Sequence, residues 1–265
     1  MLKPICLIIL IFVASTAGAA NVIFVGSAKP AQRVSMNDID HSAWQALVAK
    51  YVSADGNVNY AAWKTSSADV TVLRQYLGQL STADPAIAAA RGATLAFWIN
   101  AYNALTIDGI LREYPTTTIR NHTAKLFGYN IWDDLRLFVG GTAYSLNQIE
   151  HDVLRKLGEP RIHFAIVCAS KGCPRLLNQA YTPDQIESQL ETNAKDFFSR
   201  PENFAVEDDV IKASSILDWF GDDFGKSDGE VIDRVTPWLP AKDRDAIKGK
   251  SPRLRYQEYD WSLND

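Results

Sequence analysis

The stretch "TLAFWINAYNALTIDGIL", residues 94–111, constrains the fold more than any other. Leu95, Phe97, Trp98, Ile99, Tyr102, Leu105, Ile107, Ile110 and Leu111 spread round nearly the whole circumference of a helix, and a helix apolar on all sides has to be buried. The helix is predicted to run from about Ala86 to Glu113, where Pro115 stops it. Other elements must wrap around it. Asn100 and Asn103 interrupt the apolar surface three residues apart on one stripe. A buried amide without hydrogen-bond partners costs about 1–3 kcal/mol. Either these amides tie neighbouring backbone to the helix, or they serve a site as oxyanion donor or as orienter of an imidazole.

Around this helix the chain alternates helical and strand patterns. Trp44, Leu47, Val48 and Tyr51 recur at helical spacing behind capping residues, "SADGNVNY" reads as a turn with a short strand, and a further helix is predicted around Val72–Leu80. "LRLFVGGTAYSL" reads as two strands about a Gly-Gly turn, with Ser145 capping a helix through Leu157. "RIHFAIVC" reads as a buried strand, and "TPDQIESQLETNAKDFF" as a helix capped by Thr182 with Pro183 at its first position. A hairpin at "NFAVEDDVIKAS", short helices and a strand near "LRYQEY" follow. The expected fold is α+β, helices packed on a mostly antiparallel mixed sheet, in a single domain over 39–265 with residues 21–38 as a loose arm.

In "SLNQIEHDVLRKL" the apolar stripe is Leu146, Ile149, Val153 and Leu157, and Glu150 falls close to it. A carboxylate there needs an ion pair or backbone donors, or else it is a perturbed acid on the wall of a site. His151 is placed to project into the same cleft from the flank of the helix.

Lys3, the apolar run Pro4–Val13 and the small-residue stretch "ASTAGAA" read as a secretory signal peptide over residues 1–20. The expectation is an exported protein, periplasmic or extracellular, with no integral membrane segment after cleavage, because no later window offers ~20 uninterrupted apolar residues. Losing Lys3 takes the formal charge from −4 to −5, which argues against nucleic acid as a partner. Cys6 departs with the leader, leaving Cys168 and Cys173 in a compartment where disulfides persist.

These two cysteines lie in "HFAIVCASKGCP", residues 163–174. One reading is a Cys168–Cys173 disulfide across a turn containing Gly172, contributing about 2 kcal/mol because the loop is short. The other is a reactive thiol. Strand alternation aims His163 away from Cys168, so His151, arriving from another element, is the candidate base, and the "ASKG" amides are candidate donors to an anionic intermediate. Zinc would find only two ligands in C-x4-C, and a dithiol redox centre usually uses C-x-x-C. No cofactor and no metal are expected.

Taken in order, "FWINAYNALTIDGIL", the hairpin with "SLNQIEHDVLR", "HFAIVCASKGCPRL" and "SILDWFGDDFG" resemble the family called domain of unknown function 547, over roughly Ile39 to Phe224. The resemblance implies that Asn100, Tyr102, Asn103, Glu150, His151, His163, Cys168, Cys173 and Pro174 occupy the family's motif positions. Its members include exported bacterial proteins, and their activity is unassigned. Two functions stand first on these residues, with redox work by the C-x4-C pair as a third. The first is a cysteine-dependent acyl hydrolase or transferase with Cys168 as nucleophile, His151 as base, Glu150 or Asn100 orienting the imidazole, and Asn103, Tyr102, Trp98 and Trp132 toward the substrate. The second is a non-enzymatic binding or scaffold domain of the cell envelope, stapled by a disulfide and offering a groove to a peptide, glycan or small molecule.

Overall fold

The computed structural model describes residues 21–123 and 129–265. The signal peptide read from residues 1–20, and Cys6 with it, lie outside the described residues. Strand β1 (Ile23–Val25) leads into helices α1 (Ser42–Tyr51), α2 (Tyr60–Thr65), α3 (Ser67–Leu80) and α4 (Arg91–Glu113), then strands β2 (Leu135–Val139) and β3 (Thr142–Ser145). A π-helical segment, Gln148–Leu154, and two 3-10 turns precede α5 (Ile186–Ser199), strands β4 (Phe204–Glu207) and β5 (Val210–Ala213), helices α6 (Ile216–Trp219), α7 (Asp228–Val235) and α8 (Ala241–Ile247), and β6 (Arg253–Tyr256). The fold is α+β. The strands form two separate three-stranded sheets, β1-β2-β3 and β4-β5-β6, each with one parallel and one antiparallel pair.

Helix α4 is the buried axis the sequence predicts, with every residue from Leu95 to Leu111 inside. Its polar groups are all satisfied: Asp108 pairs with Arg74 and Arg112, and the Thr106 hydroxyl donates to the Tyr102 carbonyl. Asn100 donates to the Tyr181 carbonyl at 2.8 Å and accepts from its N–H at 3.0 Å. Asn103 donates to Ala165 O at 3.0 Å and accepts from Val167 N–H at 2.9 Å. Each amide therefore clamps a loop to the helix.

The helix begins at Arg91 rather than near Ala86, because residues ahead of it are held extended by the N-terminal segment: Ser35 donates to Ala88 O and Asn37 accepts from Ala90 N–H. That segment is no loose arm. Its β1 pairs with β2, and Val34 bridges to Ala83. The β2–β3 turn is built as read, with Gly140 (φ +59°) and Gly141 (φ +89°) both in the left-handed region that a type I′ turn demands. Thr182 does not cap α5. Its N–H goes to Gln189 Oε1, its hydroxyl has no partner among the described residues, and the helix starts at Ile186.

The largest correction concerns "RIHFAIVC". Residues Pro160–Phe164 form a 3-10 helix, started by Pro160 and by Glu159, whose carboxylate accepts from Arg161 N–H. Among the described residues, Ala165–Cys168 then has no strand partner. Side-chain amides replace the neighbouring strand: Asn103 takes Ala165 O and Val167 N–H, and Asn193 of α5 donates to Phe164 O at 3.0 Å. Buried backbone must be paired, and here two helices pair it.

Two apolar clusters meet along this segment. The larger surrounds α4 with α1–α3 and the first sheet, and the smaller gathers Phe164, Phe197, Phe198, Phe204 and Trp238 with the second sheet. Tyr102 and Ile166 belong to the first and Ile216 to the second, and all three reach the same cavity at the seam.

Candidate active site

The cavity has a volume of about 340 Å³, within the range of small-molecule sites, and both sulfurs open on it. Cys168 is half-buried and Cys173 lies behind it, 8% exposed. Neither cysteine is bonded to the other and their Sγ atoms lie 2.7 Å apart, so of the two readings of the spacing the structure presents the pair as thiols. The Tyr259 hydroxyl donates to Cys173 Sγ at 3.0 Å and lies 3.3 Å from Cys168 Sγ, and the Cys168 N–H donates to Cys173 Sγ at 3.1 Å. The neighbouring Cys173 thiol, then the Tyr259 and Ser170 hydroxyls, stabilise a thiolate at Cys168 and bring it down to about 7, whereas burial pushes Cys173 up. The pair therefore carries its first negative charge on Cys168, while Cys173 keeps its proton.

The loop that carries the sulfurs is fixed by the C-terminal segment. Lys171 N–H donates to Ser262 O, Gly172 N–H to Asp260 O, and Asn264 N–H to Ala169 O. A Cβ on Gly172 would stand 2.9 Å from the Tyr259 ring and 3.0 Å from Asp260 N, so only glycine lets the tail approach. Ala169 takes φ +60°, a conformation costing about 1–2 kcal/mol for a residue with a Cβ. It sits immediately after Cys168, and the paired tail maintains it. With Lys171, Gly172 and Cys173 N–H already bonded, these three amides of the loop are not free to receive an intermediate.

Glu150 reaches the cavity from the π-helical segment. Ser145 and Gln148 start that segment reciprocally: Ser145 Oγ accepts Gln148 N–H and Gln148 Oε1 accepts Ser145 N–H. The widened turn closes with Arg155 N–H on Glu150 O, five residues back. The Glu150 side chain accepts from the Tyr102 hydroxyl at 3.2 Å. Burial and then the negative charge of Cys168 push its carboxyl up to about 7.

Two imidazoles complete the wall. His163 lies on Phe220, ring centroids 4.2 Å apart, with Nε2 2.7 Å from Asp223 Oδ2. Arg155 grips the same carboxylate with two bonds of 2.7 and 2.8 Å. Burial would raise Asp223, but Arg155 and His163 hold it below the ordinary carboxylate value. An ionised Asp223 makes His163 Nε2 the donor. Burial lowers His163 to about 4, so the ring is neutral at physiological pH. His151 is also kept neutral, first by burial and then by the charge of Arg155, whose Nη1 donates to His151 Nδ1 at 3.2 Å. That bond leaves the hydrogen of His151 on Nε2.

Of the residues singled out in the sequence, Cys168, Cys173, Glu150, His151, Tyr102 and Trp132 all line the cavity. Asn100, Asn103 and Trp98 do not. The two amides are spent on backbone, and Trp98 packs edge-on against Phe97 and Tyr144, 2% exposed. His163, set aside as pointing away, enters the cavity because its segment is not a strand. Asp223, Arg155, Tyr259, Trp219 and Trp261 were missed as site residues. Asp223 lies inside the quoted "SILDWFGDDFG", whereas nothing near Tyr259 in sequence points to the sulfurs 86 and 91 residues before it.

A family model described as "Protein of unknown function, DUF547" matches residues 87–198, a narrower span than the resemblance seen in the sequence. The match runs from just ahead of α4 into α5 and includes Glu150, His151, His163, Cys168 and Cys173, while Asp223, Tyr259 and Trp261 lie beyond it. No curated protein and no solved structure matches the chain.

Proposed function

We propose that the chain is a cysteine-dependent acyl hydrolase or transferase, exported behind the leader read in residues 1–20. One observation carries the reading: Cys168 and Glu150 face the same cavity, the sulfur poised to ionise near neutral pH and the carboxyl poised to keep its proton there. An anionic nucleophile and a neutral acid in one enclosed site are what acyl transfer needs.

In this mechanism the Cys168 thiolate attacks the acyl carbonyl carbon, and the carbonyl electron pair moves to oxygen. The His151 Nε2–H is the donor offered to that oxygen, so His151 acts as an electrophile rather than as the base named from the sequence. Collapse expels the leaving group, which takes the Glu150 proton and leaves a thioester on Cys168. The Glu150 carboxylate then removes a proton from water, or from an alcohol or amine acceptor, which displaces the thiolate and restores both groups. His163, fixed by Asp223 and Phe220, positions the wall against which the substrate rests.

The test is acylation by 4-nitrophenyl acetate, followed by intact mass after acid quench. Reduced protein is expected to gain one acetyl group, mapped to Cys168, and Cys168→Ala to gain none. Absence of the adduct, or its persistence in Cys168→Ala, overturns the assignment.

One observation favours a binding role instead: Trp132, Trp219, Tyr259 and Trp261 pack together on the cavity wall, a surface suited to a peptide or glycan. A ligand held with equal affinity by the wild type and by Cys168→Ala, with no acylation in either, would be the outcome of that reading.

A further inference from the structure

We infer that Cys168 and Cys173 form a thiol–disulfide exchange centre, in which Cys168 captures the sulfur of a disulfide-bearing compound and Cys173 releases it by closing a bond to Cys168. The inference goes beyond acyl transfer and is argued from the sulfur geometry, sharing with that reading only an ionised Cys168. The two Sγ atoms lie 2.7 Å apart, and the residues between them are pinned through four hydrogen bonds: three to the C-terminal segment (Lys171 to Ser262, Gly172 to Asp260, Asn264 to Ala169) and Cys173 N–H to Ser170 O. Forming the bond therefore requires little ordering of the chain.

The pair is also asymmetric in the way such an exchange requires. Both cysteines line the cavity, but Cys168 is the more exposed of the two and Cys173 is only 8% exposed, so Cys168 is the better placed to meet an external disulfide. The Tyr259 hydroxyl is within hydrogen-bonding distance of both sulfurs and can follow the negative charge from one to the other. The C-x4-C spacing is longer than the usual redox motif, but the turn through Ala169 at φ +60° brings the ends together.

The steps balance. The Cys168 thiolate attacks one sulfur of R–S–S–R, forming Cys168–S–S–R and expelling one thiolate, which takes up a proton from water. Cys173 loses its proton to solvent and attacks Cys168 Sγ, forming the intramolecular disulfide and expelling the second R–S⁻. The protein loses two electrons and two protons, and the external disulfide becomes two thiols. Run backward, a dithiol donor restores the reduced pair.

The probe is glutathione disulfide, added to the fully reduced full-length chain in a Cys6→Ser background throughout, so that only Cys168 and Cys173 can react, and quenched with acid for intact mass. The wild type is expected to lose two hydrogens while releasing two glutathiones, with no lasting adduct. Cys173→Ser is expected to hold a single glutathione on Cys168, at about tenfold or greater occupancy than the wild type at matched times, and dithiothreitol reverses both. Cys173→Ala is a second variant should the serine disturb the loop. A lasting wild-type adduct equal to that of the variants, or no modification of any form, overturns the inference. Exchange that proceeds without acetylation by 4-nitrophenyl acetate would remove the acyl-transfer reading and leave this one standing.

Discussion

Replacing Asn103 with alanine is expected to lower the unfolding free energy by about 3–5 kcal/mol, a loss large enough to leave a marginally stable domain partly unfolded at room temperature. The substitution strands two buried backbone groups at once, the Ala165 carbonyl and the Val167 N–H, each costing about 1–3 kcal/mol when unpaired. Among the described residues no strand is available to take them, because the 165–168 segment runs unpaired between the two apolar clusters. Asn103→Leu keeps the number and branching of side-chain heavy atoms and so leaves no cavity, yet its loss should remain above about 2 kcal/mol, since the missing partners are the same. Urea denaturation followed by tryptophan fluorescence reads both values. A loss below about 1 kcal/mol in either variant would mean that the segment finds other partners and that the amide is not its support.

Glu150→Gln is expected to slow turnover of an alkyl acetate ester by about 10²–10⁴-fold, the usual range for removing a general acid. The amide keeps the shape and can still accept from Tyr102, so the fold should be unchanged. The pH profile carries more information than the rate. Wild-type turnover requires Cys168 ionised, which favours pH above about 7, and Glu150 protonated, which favours pH below about 7, so it should peak near neutrality. In Glu150→Gln only the rising limb remains. Acylation by 4-nitrophenyl acetate, whose phenolate leaves without a proton, should survive almost intact. Equal losses on the two substrates would assign Glu150 to structure rather than to proton transfer.

How much of this was legible in the sequence depends on the range of the interaction. Helix α4 announced itself because burial on every side leaves a pattern within one element, and the Gly-Gly hairpin because its turn demands φ > 0 at two adjacent positions. Cys168, Glu150 and His151 could be collected as chemistry-bearing residues on separate motifs. The strand at "RIHFAIVC" failed because an apolar run records burial and not the identity of the hydrogen-bonding partner, and here the partners are the side chains of Asn103 and Asn193. The period-two rule therefore aims His163 away from the site, because it does not hold in a 3-10 turn. The sequence allows Asn100 and Asn103 two roles, and in the fold both ends of each amide are bonded to backbone. Tyr259 and Asp223 act on residues far away in the chain, where local sequence carries no trace of the contact.

The ionisation of Cys168 is the claim on which the nucleophile, its acid partner and the exchange chemistry all depend. Iodoacetamide alkylates the thiolate, so the rate of Cys168 labelling against pH in the reduced protein measures that ionisation directly. A rate that rises through a midpoint near 7, and a midpoint that moves upward in Tyr259→Phe when a hydrogen-bond donor is lost, are the predicted results. A midpoint at the ordinary thiol value of about 8.5 or above, unaffected by Tyr259→Phe, would contradict the account.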